Sequence, residues 1–209
     1  FQERESRDEL GLGGVRDSFA DQLFPGTSRI QTRLRYMLIV PWVYMKLEDE
    51  RVVPQDFANL ADRAERDLVG PLLKSDDRAG VFGRTAGRQV KRLPSSVYWA
   101  GLGAWGIRLT PYSQEEYHRR IGDVYRARTA ADQAAKEAVR RGDDRDAASS
   151  QALTWHPRIP VAPDRFPESI DFSLTSEEAE FLLDRIAISH PESLLAHLAR
   201  RCQPAAVDA

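Results

Sequence analysis

The sequence holds a single cysteine, Cys202, in 209 residues. That excludes an internal disulfide and any multi-cysteine zinc site, and it suits a reducing, cytoplasmic setting. Lysine is scarce, at four against twenty-six arginines. The bias reads chiefly as genomic base composition, although guanidinium groups also suit bidentate contacts with phosphate. No excess of one charge exists either: the formal net charge is −2. Any attraction to nucleic acid or an anionic membrane must therefore be local. The longest apolar run, Tyr36 to Met45, carries Pro41 and falls well short of the roughly 20 residues a bilayer span needs. The first residues, Phe1 to Glu9, are mostly charged and lack a signal-peptide pattern. A start at Phe1 makes a fragment of a longer protein the expectation.

What is present is helical periodicity. The apolar share of 42% and charged share of 30% suit one large domain or two small ones with a real core. Val15, Phe19, Ala20 and Leu23 share one face of a short helix, which the turn Phe24-Pro25-Gly26 stops. Ser28 is the expected start of a second helix, with Ile30, Leu34, Met37, Leu38, Trp42 and Met45 on one stripe. Between Tyr36 and Tyr44 its other face is apolar too, so this helix is expected to be central and buried, with a kink at Pro41.

Pro54 suits a first helical turn. Phe57, Leu60, Ala61, Ala64, Leu68 and Leu72 continue an amphipathic helix until Gly70-Pro71. A glycine-punctuated basic connector follows over 74–92. Pro94-Ser95 opens a helix with Val97, Tyr98, Trp99 and Leu102, closed by Gly106, and Ile107 to Thr110 reads as a short strand. Ser113 and Glu116 form a capping-box pattern, opening a helix that extends to Arg141. Over 142–169 the composition shifts to Asp, Arg, Ser and Pro, a linker or extended arm with Trp155 and Phe166 as anchors. Thr175 and Glu178 form a second capping box. The helix they start, together with one begun near Ser189 and Pro191, makes a C-terminal helical hairpin.

Two clusters carry possible binding chemistry. In the connector, Arg84, Arg88, Lys91 and Arg92 lie among glycines with no acid between them, an arrangement that suits phosphate. Helical spacing would put Arg84, Arg88 and Lys91 on one side. A helix-turn-helix reader with Ser95 and Ser96 at the groove fits the same stretch. The competing account is a solvated basic face with Tyr98, Trp99 and Trp105 in the core. The second cluster is Arg29, Arg33, Arg35 and Tyr36. Guanidinium groups beside an apolar helix need an anion or a carboxylate, and Asp8, Glu9, Asp17 and Asp21 are the expected partners.

Enzyme patterns are lacking. His118, His156, His190 and His197 are scattered, and no His-Glu-x-x-His, Gly-x-Ser-x-Gly or dinucleotide fingerprint occurs. Asp143, Asp144 and Asp146 read as solvated linker. No metal and no cofactor is expected, and no catalytic residue is assigned.

Several phrases jointly resemble a bacterial and archaeal family known only as a domain of unknown function. They are Arg7-Asp8-Glu9-Leu10-Gly11, Phe24-Pro25-Gly26-Thr27-Ser28, Thr32-Arg33-x-Arg35-Tyr36 and Val40-Pro41-Trp42. Gly83-Arg84, Leu93-Pro94-Ser95-Ser96-x-Tyr98-Trp99, Trp105-Gly106-Ile107 and Phe172-x-Leu174-Thr175-x-x-Glu178-Ala179 continue the pattern. The resemblance implies longer relatives at both ends and gene neighbours that include helicases and phospholipase-D-like nucleases in antiviral-defence clusters. Those helicase and nuclease proteins are the implied partners, with nucleic acid a further candidate and no membrane.

The resulting expectation is a mainly α fold: a multi-helix core over 1–141, a linker or arm over 142–173, and a hairpin over 174–201. The leading function is a non-enzymatic accessory or binding subunit of a DNA-processing or defence assembly. The alternatives are a nuclease or nucleotide-using enzyme with catalytic residues partly elsewhere, and a structural protein-docking module.

Overall fold

The computed structural model describes residues 12–141 and 153–201. Its architecture is mainly α. The helices are α1 (Leu12–Leu23), α2 (Tyr36–Asp49), α3 (Phe57–Asp67), α4 (Val69–Lys74), α5 (Pro94–Ala104), α6 (Gln114–Arg141), α7 (Ser176–Ser189) and α8 (Leu194–Arg201). Helix α2 packs against α3 and α5, α6 against both of those, and α7 against α8. Among the described residues the only β pairing is an isolated antiparallel bridge between Arg108 and Trp155, in place of the strand expected at Ile107 to Thr110.

The buried helix is central, as its two-faced pattern requires. Every residue from Tyr36 to Tyr44 is buried. Pro41 lies within it, where it removes the amide that would have bonded to Met37. The helix begins at Tyr36 and not at Ser28, however, and Ile30 and Leu34 are exposed. The cause is Tyr98. Its hydroxyl accepts the amide protons of Thr32 (2.8 Å) and Arg33 (3.0 Å) and donates to the Arg33 carbonyl (2.8 Å). Amides drawn to Tyr98 cannot supply the ladder of an earlier helical start.

The break between α3 and α4 falls at Leu68, and Gly70-Pro71 lies inside the first turn of α4, where proline removes no ladder bond. The Thr175 capping box is complete: Glu178 N donates to Thr175 Oγ1 (3.2 Å) and Thr175 N to Glu178 Oε2 (3.0 Å). At α6, Glu116 N donates to Ser113 Oγ (3.1 Å). Residues 153–173 run over the helices and sink Trp155, Ile159 and Ile170 into the core shared with Phe181, Leu182 and Ile186 of α7. The acidic stretch at Asp143, Asp144 and Asp146 and the residue Cys202 lie outside the described residues.

Candidate functional site

The connector between α4 and α5 is an ordered loop whose conformation is set by backbone contacts. Thr32 Oγ1 donates to the Gly80 carbonyl (2.6 Å) and Arg33 Nε to the Ala79 carbonyl (2.8 Å). Arg66 NH1 donates to the carbonyls of Arg88 and Val90, both at 2.7 Å. Gly87 N closes a tight turn onto the Gly83 carbonyl (2.7 Å). Gly83 has φ 84°, and a Cβ there would lie 2.5 Å from the Gly87 oxygen, so only glycine fits. Phe82 N donates to the Tyr36 hydroxyl (3.2 Å), which fastens the loop to α2.

On this frame Arg84, Lys91, Arg92 and Ser96 are exposed. Among the described residues no carboxylate pairs with Arg84, Lys91 or Arg92, whereas Arg88 reaches Asp67. The expected helical alignment of these cations does not occur, because the loop contains only a short 3₁₀ turn, Gly87–Gln89. Ser95 does not face solvent. It is fully buried, its amide donates to Glu65 Oε2 (2.8 Å) and its hydroxyl accepts from Gln114 Nε2 (2.7 Å). The N-terminal dipole of α5 is thus met by an internal carboxyl. Helix α5 buries Val97, Tyr98, Trp99 and Leu102, so it is a core element and not a groove-reading helix.

The Arg33 and Arg35 cluster forms ion pairs, but with downstream acids. Arg33 pairs with Asp77 (2.6 Å), and Arg35 with Asp171 (2.8 Å) and Glu178 (2.7 Å). Of the nearby N-terminal acids, Asp17 pairs with Arg16 on the surface, while Asp8 and Glu9 lie outside the described residues. Arg35 is 6% exposed and its guanidinium also lies 5.7 Å over the Trp42 ring. It therefore fastens the α7 cap to α2. Arg29 is exposed, and Tyr36 is fully buried.

Two buried carboxyls that the sequence reading did not single out organise the interior. Glu48, 2% exposed, accepts from Tyr117 Oη, Arg128, Thr154 Oγ1 (2.7 Å) and Trp155 Nε1 (2.6 Å). Its oxygens are saturated, so it works as a structural hub. Glu65, also 2% exposed, has Oε2 on the Ser95 amide while Oε1 has no hydrogen-bond partner. Burial pushes its carboxyl up to about 7. Both were legible as acids in an apolar register: Glu48 follows Tyr44 by four residues, and Glu65 follows Phe57 and Ala61 at helical spacing.

Beyond Ser95, Gln114 Nε2 also donates to Tyr44 Oη (2.9 Å), and that hydroxyl meets His118 Nε2 (3.0 Å). Burial lowers the His118 pKa and raises that of Tyr44, so both are neutral near pH 7. A cleft of about 500 Å³ opens where α2 ends against α6, lined by Asp49, Arg51, Tyr125, Arg128 and Asp132. Among the described residues no group of three or more His, Cys, Asp or Glu side chains could hold a metal ion.

The residues that carry the family resemblance are largely clamps of the fold. Trp105 Nε1 donates to the Pro25 carbonyl (2.8 Å), holding the Phe24-Pro25-Gly26 turn, while Tyr98 holds Thr32 and Arg33. A Cβ on Gly101 would collide with the Gly26 carbonyl.

The fold and its polar centres define a mainly helical domain with a pinned basic loop. The chain belongs to a family of unknown function, DUF6361, whose model matches residues 1–127. No curated protein and no solved structure matches it. No helix among the described residues is long and apolar enough to cross a membrane.

Proposed function

We propose that the protein is a non-enzymatic binding subunit of a DNA-processing or defence assembly, and that its 74–92 connector contacts a nucleic-acid phosphate backbone. One observation carries this reading. Arg84, Lys91 and Arg92 project from a loop whose backbone is pinned, and the neighbouring Arg33, Arg66 and Arg88 are already taken up by Asp77, Asp62 and Asp67. Preorganised cations need little ordering on contact, and phosphate contacts carry little base information. The exposed side of the loop offers no groove-reading helix, which favours sequence-independent contact.

The test is fluorescence anisotropy on the full chain with the charge reversals R84E and K91E. Affinity should fall across unrelated sequences, and each lost contact should reduce the slope of log affinity against log salt by about one on duplex DNA. Unchanged affinity and slope would refute the reading and leave the loop as a protein-docking or solvated face.

A nucleotide-using enzyme is the second reading, favoured by the cleft beside Arg51 and Arg128, whose volume of about 500 Å³ suits a small ligand. Thermal-shift measurements with nucleoside triphosphates test it; R51A should abolish any stabilisation they give.

A further inference from the structure

Glu65 lies at the meeting point of the connector and the helical core. The narrow void around it is lined by Tyr36, Leu68, Val69, Leu72, Phe82, Val90 and Pro94, and it has no room for a water molecule. Phe82 and Val90 belong to the connector, and the other walls come from α2, α4, α5 and the α3–α4 junction. Only one carboxyl oxygen is bonded, to the Ser95 amide. A neutral acid tolerates such a place at modest cost. A carboxylate with an unpartnered oxygen in a dry apolar cavity does not.

The charged and titratable groups near Glu65 offer no rescue. On its own helix, Asp62 repels it, and the attraction of Arg66 is shared with Asp62 and with the Arg88 and Val90 carbonyls. From α2, the Tyr36 hydroxyl is occupied by Phe82 N and the Tyr44 hydroxyl by Gln114 and His118. From α5, Ser95 donates its amide to Oε2 and its hydroxyl also favours the ionised carboxyl, yet Oε1 stays without a partner, and the Tyr98 hydroxyl is engaged with Thr32 and Arg33. From the connector, only the apolar side chains of Phe82 and Val90 face the void.

An ionised Glu65 must therefore obtain water, and one wall has to yield. Helices α2 and α5 are core elements held over many buried residues. The connector is held by loop hydrogen bonds to the Gly80, Ala79, Arg88 and Val90 carbonyls and to Tyr36, and it gives the core only Val81 and Phe82. It is the softest wall, and elements secured by few contacts open at the lowest free-energy cost.

We propose that Glu65 is a proton-operated latch on the basic connector: its neutral carboxyl keeps Phe82 and Val90 seated on the core, and its ionisation admits water and loosens the loop that carries Arg84, Lys91 and Arg92. The latch itself depends only on the geometry beneath the loop; its consequence for polyanion contact rests on the binding function proposed above. The carboxyl's rise to about 7 places the transition at near-neutral pH. A loosened loop presents its cations with a larger ordering cost, so phosphate affinity should weaken as pH rises.

The experiment is hydrogen–deuterium exchange on the full chain from about pH 5.5 to 8.5, corrected for intrinsic exchange rates. Peptides covering 79–93 are compared with peptides from α2. In the parent protein, connector exchange should accelerate by up to about tenfold per pH unit as pH rises toward about 7 and level off above it, as proton linkage dictates, while α2 stays protected. Glu65→Gln, which cannot ionise, should hold the connector protected throughout. A flat connector profile in the parent protein overturns the latch whatever the variant does, and so does parallel loss of protection in α2. If Glu65→Gln folds, as judged by circular dichroism, and follows the parent profile, the latch is equally refuted. Anisotropy with a DNA duplex over the same pH range is a separate arm: no binding at any pH refutes the binding function and leaves the exchange result to judge the latch.

Discussion

Trp155 Nε1 donates to Glu48 Oε1 at 2.6 Å, joining the chain that follows α6 to the end of the central helix. The same carboxylate collects Tyr117, Thr154 and Arg128, so four separately positioned donors converge on one buried acid. The arrangement determines how 153–159 crosses the core.

Removing that acid should be costly. Glu48→Ala leaves the Tyr117 hydroxyl, the Trp155 indole and the Thr154 hydroxyl without their acceptor, and each unsatisfied buried donor costs about 1–3 kcal/mol. We expect a loss of several kcal/mol in urea unfolding. Glu48→Gln keeps an acceptor and should recover part of it. A loss below about 0.5 kcal/mol, the usual range of surface changes, would show the hub to be dispensable.

Trp42 is 3% exposed and its indole donates to the Pro160 carbonyl (2.7 Å). Trp42→Ala should destabilise by about 3–5 kcal/mol through lost burial and the cavity left behind. Trp42→Phe keeps most of the volume but strands the Pro160 carbonyl, so an intermediate loss is expected. Chemical denaturation followed by circular dichroism measures both.

Glu65 gives stability a definite pH dependence. Its folded-state pKa rises from the ordinary 4.5 to about 7. Below the ordinary value both folded and unfolded chains hold the proton and the neutral acid costs nothing extra. Between the two values only the unfolded chain releases it, so stability falls as pH rises, by up to about 1.4 kcal/mol per unit. Above about 7 the loss is complete. Subtracting the urea-unfolding pH profile of Glu65→Gln from that of the parent should isolate this descending limb; a difference that stays constant across the range contradicts it.

Gly83→Ala tests whether the connector has one built conformation. The new methyl would meet the Gly87 carbonyl at 2.5 Å on a backbone with φ 84°. Strained backbone of this kind costs about 1–3 kcal/mol. The loss should be local: limited proteolysis should become faster within 80–92 while the α2 region stays resistant. Unchanged proteolysis would mean that the loop has no fixed shape to lose.

Sequence periodicity determined that the protein is mainly helical, that Tyr36 to Tyr44 is buried, and that Thr175 and Glu178 cap a helix. Each is a matter of residues within one or two turns of each other, where spacing and local hydrogen bonding decide the outcome. The start of α2 at Tyr36 was not legible, because the amides of Thr32 and Arg33 are claimed by Tyr98, 65 or 66 residues away. The partners of Arg33 and Arg35 escaped the same way: nearby acids were the economical guess, yet Asp77, Asp171 and Glu178 hold them. Ser95 looked like a helix-start residue open to a ligand, and only the tertiary fold, which brings Glu65 of α3 to the start of α5, placed a carboxyl against its amide. Local pattern determines which segments form helices and which faces turn inward. Which buried acid meets which donor depends on how distant segments close around the core, and so only the tertiary structure decided the pairings on which the connector and its latch depend.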